Sequence, residues 1–153
     1  MAEAVARFPD VGGFVLAGRQ VRLPSDLPER SLTVVAFRKW HQRLVDGWID
    51  WSQRNHPDLS AIEVPVISRG YRWQRPFIDG GMIAGIRDRQ VLARTITVYT
   101  DVPAFLQALD LPDDSTVAAL VLGRDGTVHA GARGPVGPAT TAVVEAAVTQ
   151  AGG

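Results

Sequence analysis

The residues best able to do chemistry lie in a short basic turn, Arg38-Lys39-Trp40-His41-Gln42-Arg43, between an apolar run and an amphipathic pattern. A histidine there could act as an acid or a base, and the free backbone N–H groups at a helix start favour an anion. Arg38, Lys39 and Arg43 add positive charge beside Trp40. The turn predicts a pocket for an anion or a carboxylate. The plainer alternative is a solvated turn with a buried, hydrogen-bonded His41.

A second cluster of arginine and aromatic residues follows at positions 69–75. Trp73 lies among Arg69, Arg72 and Arg75, which permits arginine–aromatic stacking or a loop that contacts an anion or a partner. In the alternative interpretation, Trp73 covers the core and the arginines point to solvent. We therefore take Arg72 and Trp73 as candidate ligand-binding residues.

Thiol and metal chemistry find no support in the sequence. The 153 residues contain no cysteine, which excludes disulfides, thiolate metal sites, peroxidatic catalysis and thiol exchange. The three histidines, His41, His56 and His129, are far apart and lack short ligand spacing, so we expect no metal site. We also expect no cofactor.

Composition and charge favour an ordinary globular protein. Apolar residues make up 46% and charged residues 21% of the chain, and its length fits a single domain over residues 1–153. A formal net charge of zero argues against a dedicated nucleic-acid binder. Residues 38–94 nevertheless carry +4 and residues 95–153 carry −4. We find no apolar run long enough to span a bilayer and no signal peptide, so we expect no membrane association and a cytoplasmic protein.

The elements that position these residues follow from hydrophobic patterning. Continuous or alternating apolar runs predict strands at residues 14–18, 20–23, 31–37, 59–68, 94–99, 116–122 and 127–132. Helical spacing and end signals predict helices at residues 41–55, 76–86, 102–109 and 139–151. Asp101 is the expected N-cap of the third helix. Pro65 predicts a strand end or a sheet edge, and residues 69–75 are expected to form a loop.

Three segments carry a family resemblance: the strand Leu32–Phe37 running into the His41 helix, the strand Arg94–Tyr99 with its following helix, and the hairpin Thr116–Val128 around Asp125-Gly126. Together they resemble the thioredoxin-like superfamily, and its peroxiredoxin/AhpC-TSA branch in particular. The resemblance covers residues 14–150. It implies a three-layer α/β/α fold with a mixed central sheet, here with an N-terminal β-hairpin, and it places a reactive thiol at the first strand–helix junction.

The departures from that family concern its chemistry. The peroxiredoxin pattern Pro-x-x-x-(Thr/Ser)-x-x-Cys is missing from residues 37–44, and Gly123 stands where the hairpin usually has an acidic residue. Asp113-Asp114-Ser115 replaces the proline that precedes the fourth strand in thioredoxins. Peroxidase and disulfide reductase activity are therefore not expected.

Three functional hypotheses follow. In the first, a non-redox member of the superfamily binds a small anionic ligand or a protein partner through the start of its first helix and the loop at residues 69–75. In the second, a cysteine-independent enzyme uses His41 as acid or base, with Arg38, Lys39 or Arg43 holding an anionic substrate. In the third, the chain has an assembly or structural role as a homodimer.

Overall fold

The computed structural model describes residues 6–16, 18–75, 78, 80 and 93–151. The helix predicted at residues 76–86 lies outside the described residues, apart from positions 78 and 80. The strands are β1 (Val11–Val15), β2 (Arg19–Leu23), β3 (Arg30–Ala36), β4 (Ser60–Ser68), β5 (Ile96–Thr100), β6 (Ala118–Gly123) and β7 (Val128–Arg133). The helices are α1 (Gln42–Asn55), α2 (Val102–Ala108) and α3 (Pro138–Ala151).

The seven strands form one mixed sheet in the order β2-β1-β5-β4-β3-β6-β7. The three central strands β3, β4 and β5 are parallel, whereas β6 runs antiparallel to β3. The carboxyl ends of the parallel strands therefore meet at one end of the sheet. We call this end, which is distinct from the outer strands of the sheet, the carboxyl edge. The segment that leads into β6 reaches the same edge because of its opposite direction.

Helices cover both faces of the sheet, as the predicted three-layer α/β/α architecture requires. On one face, Phe105 of α2 packs against strand residues that include Val64 and Val98. On the other face, Trp48 of α1 and Val144 of α3 complete a second apolar cluster. Among the helices within the described ranges, none combines the length and apolar character of a membrane span.

The predicted N-terminal hairpin is present and joins the main sheet through β1 and β5. Its first strand begins at Val11, three residues before the predicted start, and Gly18 turns the chain with φ +119°. Gly13 permits the approach of the two strands, because a Cβ atom there would lie 2.6 Å from Ile96 Cγ2. A larger residue would push β1 away from β5.

Neither position predicted for Pro65, a strand end or a sheet edge, is found: β4 continues to Ser68 and lies between β3 and β5. The ladder with β3 ends at the pair Ala36–Pro65, and the continuous ladder with β5 begins at Val66. Proline, which has no N–H to donate, is tolerated at this change of partner. The segment expected as a loop after β4 is instead a 3-10 helix, Arg69–Gln74.

Candidate functional site

The β3–α1 junction, residues 37–43, lies at the carboxyl edge. The chain stays extended through Arg38, with φ −137° and ψ 150°, and one 3-10 turn, Lys39–His41, then leads directly into α1. His41 has no exposed surface, whereas 59% of Trp40 is exposed. A single turn therefore directs the imidazole into the protein and the indole to its surface.

Both ring nitrogens of His41 have hydrogen-bond partners. Nδ1 accepts the backbone N–H groups of Phe37 and Arg38, at 3.0 and 3.2 Å, and Nε2 lies 3.3 Å from the carbonyl oxygen of Ser115. Because Nδ1 accepts two N–H groups, the ring proton is on Nε2, which donates to Ser115. His41 thus ties the end of β3, the start of α1 and the loop before β6 together.

The surroundings of His41 favour the neutral imidazole. Burial lowers the pKa of His41 below its usual 6.5, the Arg38 guanidinium acts in the same direction, and the hydrogen bond to Ser115 opposes them. Protonation at Nδ1 would also destroy the acceptor for two backbone N–H groups. The ring therefore serves as an acceptor and a donor of hydrogen bonds within the fold.

The loop before β6 supplies carboxylates that pair with nearby arginines. Asp114 Oδ1 accepts Arg38 Nη2 at 2.8 Å, and Asp113 Oδ1 accepts Arg133 Nη2 at 2.7 Å. Hydrogen bonds from the hydroxyl and backbone N–H of Ser115 lower the pKa of Asp113, and Arg133 adds to this effect. Arg38 and Arg133 are thus neutralised from within the protein.

The outer surface of the junction has a different character. The Trp40 ring meets the buried His41 ring edge-on, with the centroids 4.4 Å apart and the planes at 78°. Lys39 and Arg43 are exposed, and we find no carboxylate partner for either in the part of the chain that is described. We call Lys39, Trp40 and Arg43 the Trp40 patch.

The structure brings five of the predicted site residues together at the β3–α1 junction: Arg38, Lys39, Trp40, His41 and Arg43. The other two, Arg72 and Trp73, belong to the 3-10 helix Arg69–Gln74, and their side chains lie outside the described part of the structure. The sequence did not predict the contacts that Asp114 and Ser115 make at the junction. Its only indication was that these residues stand where the resembling family has a proline before the fourth strand.

A buried carboxyl group was also missed. Glu63 on β4 is 4% exposed, and Thr95 Oγ1 donates a 2.9 Å hydrogen bond to its Oε2. Burial raises the pKa of Glu63, and the hydrogen bond from Thr95 partly offsets this effect. The only indication of this buried carboxyl group in the sequence was an acidic residue inside an otherwise apolar strand.

The chemistry open to the β3–α1 junction depends on which of its groups reach the surface. The chain has no thiol, and the described segments hold no group of three His, Asp or Glu side chains arranged to take a metal ion. A general base must come within hydrogen-bond reach of a substrate, whereas His41 is enclosed. The Trp40 indole and the cations of Lys39 and Arg43 are accessible at the surface of the junction.

No protein-family model matches the chain, and no curated protein matches it significantly in sequence. Among solved structures, BsSco, of the Sco family of cytochrome c oxidase assembly proteins, superimposes with a TM-score of 0.63 at 11% identity, covering 97% of this chain and 95% of its own. An exposed lipoprotein thioredoxin from Streptococcus pneumoniae gives 0.56 at 11% identity, covering 92% and 99% respectively.

A thioredoxin-family thiol:disulfide interchange protein from Chlorobium tepidum gives a TM-score of 0.53 at 13% identity and covers all of both chains. These similarities extend over nearly the whole length of this chain, and they agree with its mixed sheet covered by helices on both faces. The chain therefore has a thioredoxin-like α/β fold that contains no cysteine.

Proposed function

We propose that this chain is a non-redox thioredoxin-like protein that binds a protein partner through the Trp40 patch. The observation that carries the proposal is the exposure of Trp40, 59%, on a turn that a fully bonded histidine anchors from below. A large aromatic side chain held in place before binding loses little entropy on association. Tryptophan and arginine are also enriched among the residues that dominate binding energy at protein interfaces.

A protein partner is better supported than a small anion at this place. The N–H groups of Phe37 and Arg38 donate to His41, and the Arg38 guanidinium pairs with Asp114. Two backbone N–H groups before the helix and the Arg38 guanidinium are thus already used within the protein. What stays available is an exposed aromatic ring with two cations beside it, which suits a larger and flatter surface.

The enzyme hypothesis has weaker support. It needs His41 to exchange a proton with a substrate, yet the ring is enclosed and both nitrogens hold backbone groups.

A homodimer formed through the Trp40 patch is also less favourable than a complex with another protein. In a two-fold symmetric dimer the same patch lies on both subunits, so the cations Lys39 and Arg43 would face an equally cationic patch. We also propose that the chain belongs to the peroxiredoxin-like branch of this fold and that it is cytoplasmic; the sequence alone supports both.

The proposal can be tested by site-specific photo-crosslinking in cells. A photoreactive amino acid replaces Gln42, which is exposed beside the patch, and in a matched control it replaces Val143, which is 45% exposed on α3. We expect a discrete crosslinked protein from position 42 that Trp40→Ala removes. The purified partner should then bind the Trp40→Ala chain at least about tenfold more weakly than wild type. Equal crosslinking from both positions, or unchanged affinity of Trp40→Ala, would contradict the proposal.

A further inference from the structure

A second exposed aromatic ring lies at the same edge of the sheet as Trp40. Tyr71, in the 3-10 helix that follows β4, is 53% exposed. Strands β3 and β4 are parallel neighbours that pair up to Ala36 and Pro65, and adjacent strands are about 4.8 Å apart. The segments that carry Trp40 and Tyr71 therefore follow adjacent strands at the same end of the sheet.

Lys39 and Arg43 lie beside Trp40, and Arg69 lies in the same 3-10 helix as Tyr71. Lys39 and Arg43 have no carboxylate partner among the described residues. Arg69 is the first residue of the 3-10 helix that contains Tyr71. Its side chain is 73% exposed, and its Nη2 is 4.0 Å from Asp101 Oδ2. That distance is too long for a hydrogen bond, so the pairing contributes little at such an exposed site.

Two acidic residues of the edge are used differently. Asp113 and Asp114 hold Arg133 and Arg38 in ion pairs of 2.7 and 2.8 Å. Their charges are thus compensated within the protein, whereas Lys39 and Arg43 have no carboxylate partner among the described residues and Arg69 has only Asp101, at 4.0 Å. A ligand for this edge should bring both negative charge and apolar groups.

We propose that the binding surface extends from the Trp40 patch to Tyr71 and Arg69, and that it takes an acidic polypeptide segment with apolar side chains between its carboxylates. The inference rests on the proposed function and specifies its partner. The apolar side chains would lie against the indole and phenol rings, and the carboxylates would pair with Lys39, Arg43 and Arg69.

A polypeptide fits better than a nucleic acid or a second copy of this chain. Nucleic-acid binding depends on neutralising many phosphates, whereas the chain has a net charge of zero and three carboxylates, Asp101, Asp113 and Asp114, at this edge. A second copy docking by the same surface would oppose like charges. An acidic segment avoids both conflicts because its charges can be spaced to match the cations.

Panning a phage-displayed library of random peptides against the full chain tests the inference. We expect the enriched peptides to be rich in Asp and Glu with interspersed apolar residues, and their binding to weaken as salt is raised. Synthetic copies should bind Tyr71→Ala and Trp40→Ala at least about fivefold more weakly than wild type, because rigid aromatic anchors dominate such interfaces. Tyr71→Phe, which keeps the ring, and Val143→Ala, which lies elsewhere, should bind as wild type does.

The outcomes separate this inference from the function on which it rests. If Trp40→Ala weakens binding and Tyr71→Ala does not, the extension to Tyr71 is wrong while the Trp40 patch stands. Enrichment of neutral or basic peptides, or of none, overturns the choice of an acidic segment without affecting the crosslinking result. Tighter binding of a mixed-sequence single-stranded DNA than of any enriched peptide overturns the choice of a polypeptide.

Discussion

Replacing His41 by alanine should destabilise the protein strongly, although the residue belongs to the turn that carries the exposed Trp40 ring. The imidazole has no exposed surface and makes three hydrogen bonds to backbone groups. Alanine removes the acceptor for the N–H groups of Phe37 and Arg38 and the donor for the carbonyl of Ser115. It also leaves a cavity between the end of β3 and the loop before β6.

The size of the effect follows from these contacts. Each lost hydrogen bond costs about 1 kcal/mol, and more where the remaining partner stays buried without water. The cavity left by the ring adds about 1 kcal/mol or more. We therefore expect His41→Ala to lower the free energy of unfolding by about 4 kcal/mol, a large part of the roughly 5–15 kcal/mol that a domain has in total.

The assay is urea unfolding followed by tryptophan fluorescence or circular dichroism. His129→Ala is the matched control. His129 is exposed, and its side chain makes a long contact, 3.4 Å from Nε2 to Arg30 Nη2, at the surface. We expect the control to lie within about 0.5 kcal/mol of wild type. A loss of less than about 1 kcal/mol for His41→Ala would refute the role of the ring as a structural link.

The pH dependence gives an independent check on the same residue. Burial lowers the pKa of His41 in the folded protein below 6.5. Between this lowered pKa and 6.5, the unfolded chain therefore binds more protons than the folded chain. The stabilisation by neutral His41 is therefore complete above about pH 6.5 and is lost as the pH falls, by at most about 1.4 kcal/mol per pH unit. The stability difference between wild type and His41→Ala should be smaller at about pH 5 than at about pH 7.5. A constant difference would contradict a neutral, buried imidazole.

The remaining predictions use the same unfolding assay. Burial raises the pKa of Glu63 above 4.5, so ionisation of this carboxyl group lowers the stability of the fold as the pH rises above about 4.5. The amide oxygen of Glu63→Gln can still accept the hydrogen bond from Thr95. This variant should therefore be more stable than wild type at neutral pH and equally stable in acid. Equal gains at both pH values would contradict this. Gly13→Ala should cost about 1–3 kcal/mol, because its Cβ would lie 2.6 Å from Ile96 Cγ2; no loss would mean that β1 shifts freely. Asp101→Ala should cost about 1 kcal/mol, because Asp101 Oδ1 accepts a first-turn N–H of α2 at 3.1 Å; an unchanged midpoint would argue against the cap.

Much of the fold was predictable because its strands and helices are locally encoded. The apolar run that forms β3 and the helical spacing of α1 are strong periodic signals, and Trp48 lies in the core as that spacing predicts. The N-cap Asp101 was recognised from its chemistry alone. Pro65 was misjudged because strand order is a property of the whole sheet, and a proline is tolerated inside it where one ladder ends and the other begins.

The candidate site was only partly predictable. The sequence placed Arg38, Trp40 and His41 at one strand–helix junction, and the structure confirms that position. It could not show that Arg38 pairs with Asp114, 76 residues away, or that His41 bonds to the carbonyl of Ser115, 74 residues away. Such contacts depend on which strands are neighbours, and local patterning carries little information about them.

By itself, the sequence determined that thiol chemistry is excluded, that a buried strand runs into an amphipathic helix, and that a basic, aromatic turn lies between them. Only the tertiary structure decided how that turn is used. The antiparallel placement of β6 beside β3 brings Ser115 and Asp114 to the junction, so that His41 and Arg38 become internal links. Trp40, one residue before His41, is left at the surface because the 3-10 turn rotates successive side chains by about 120°.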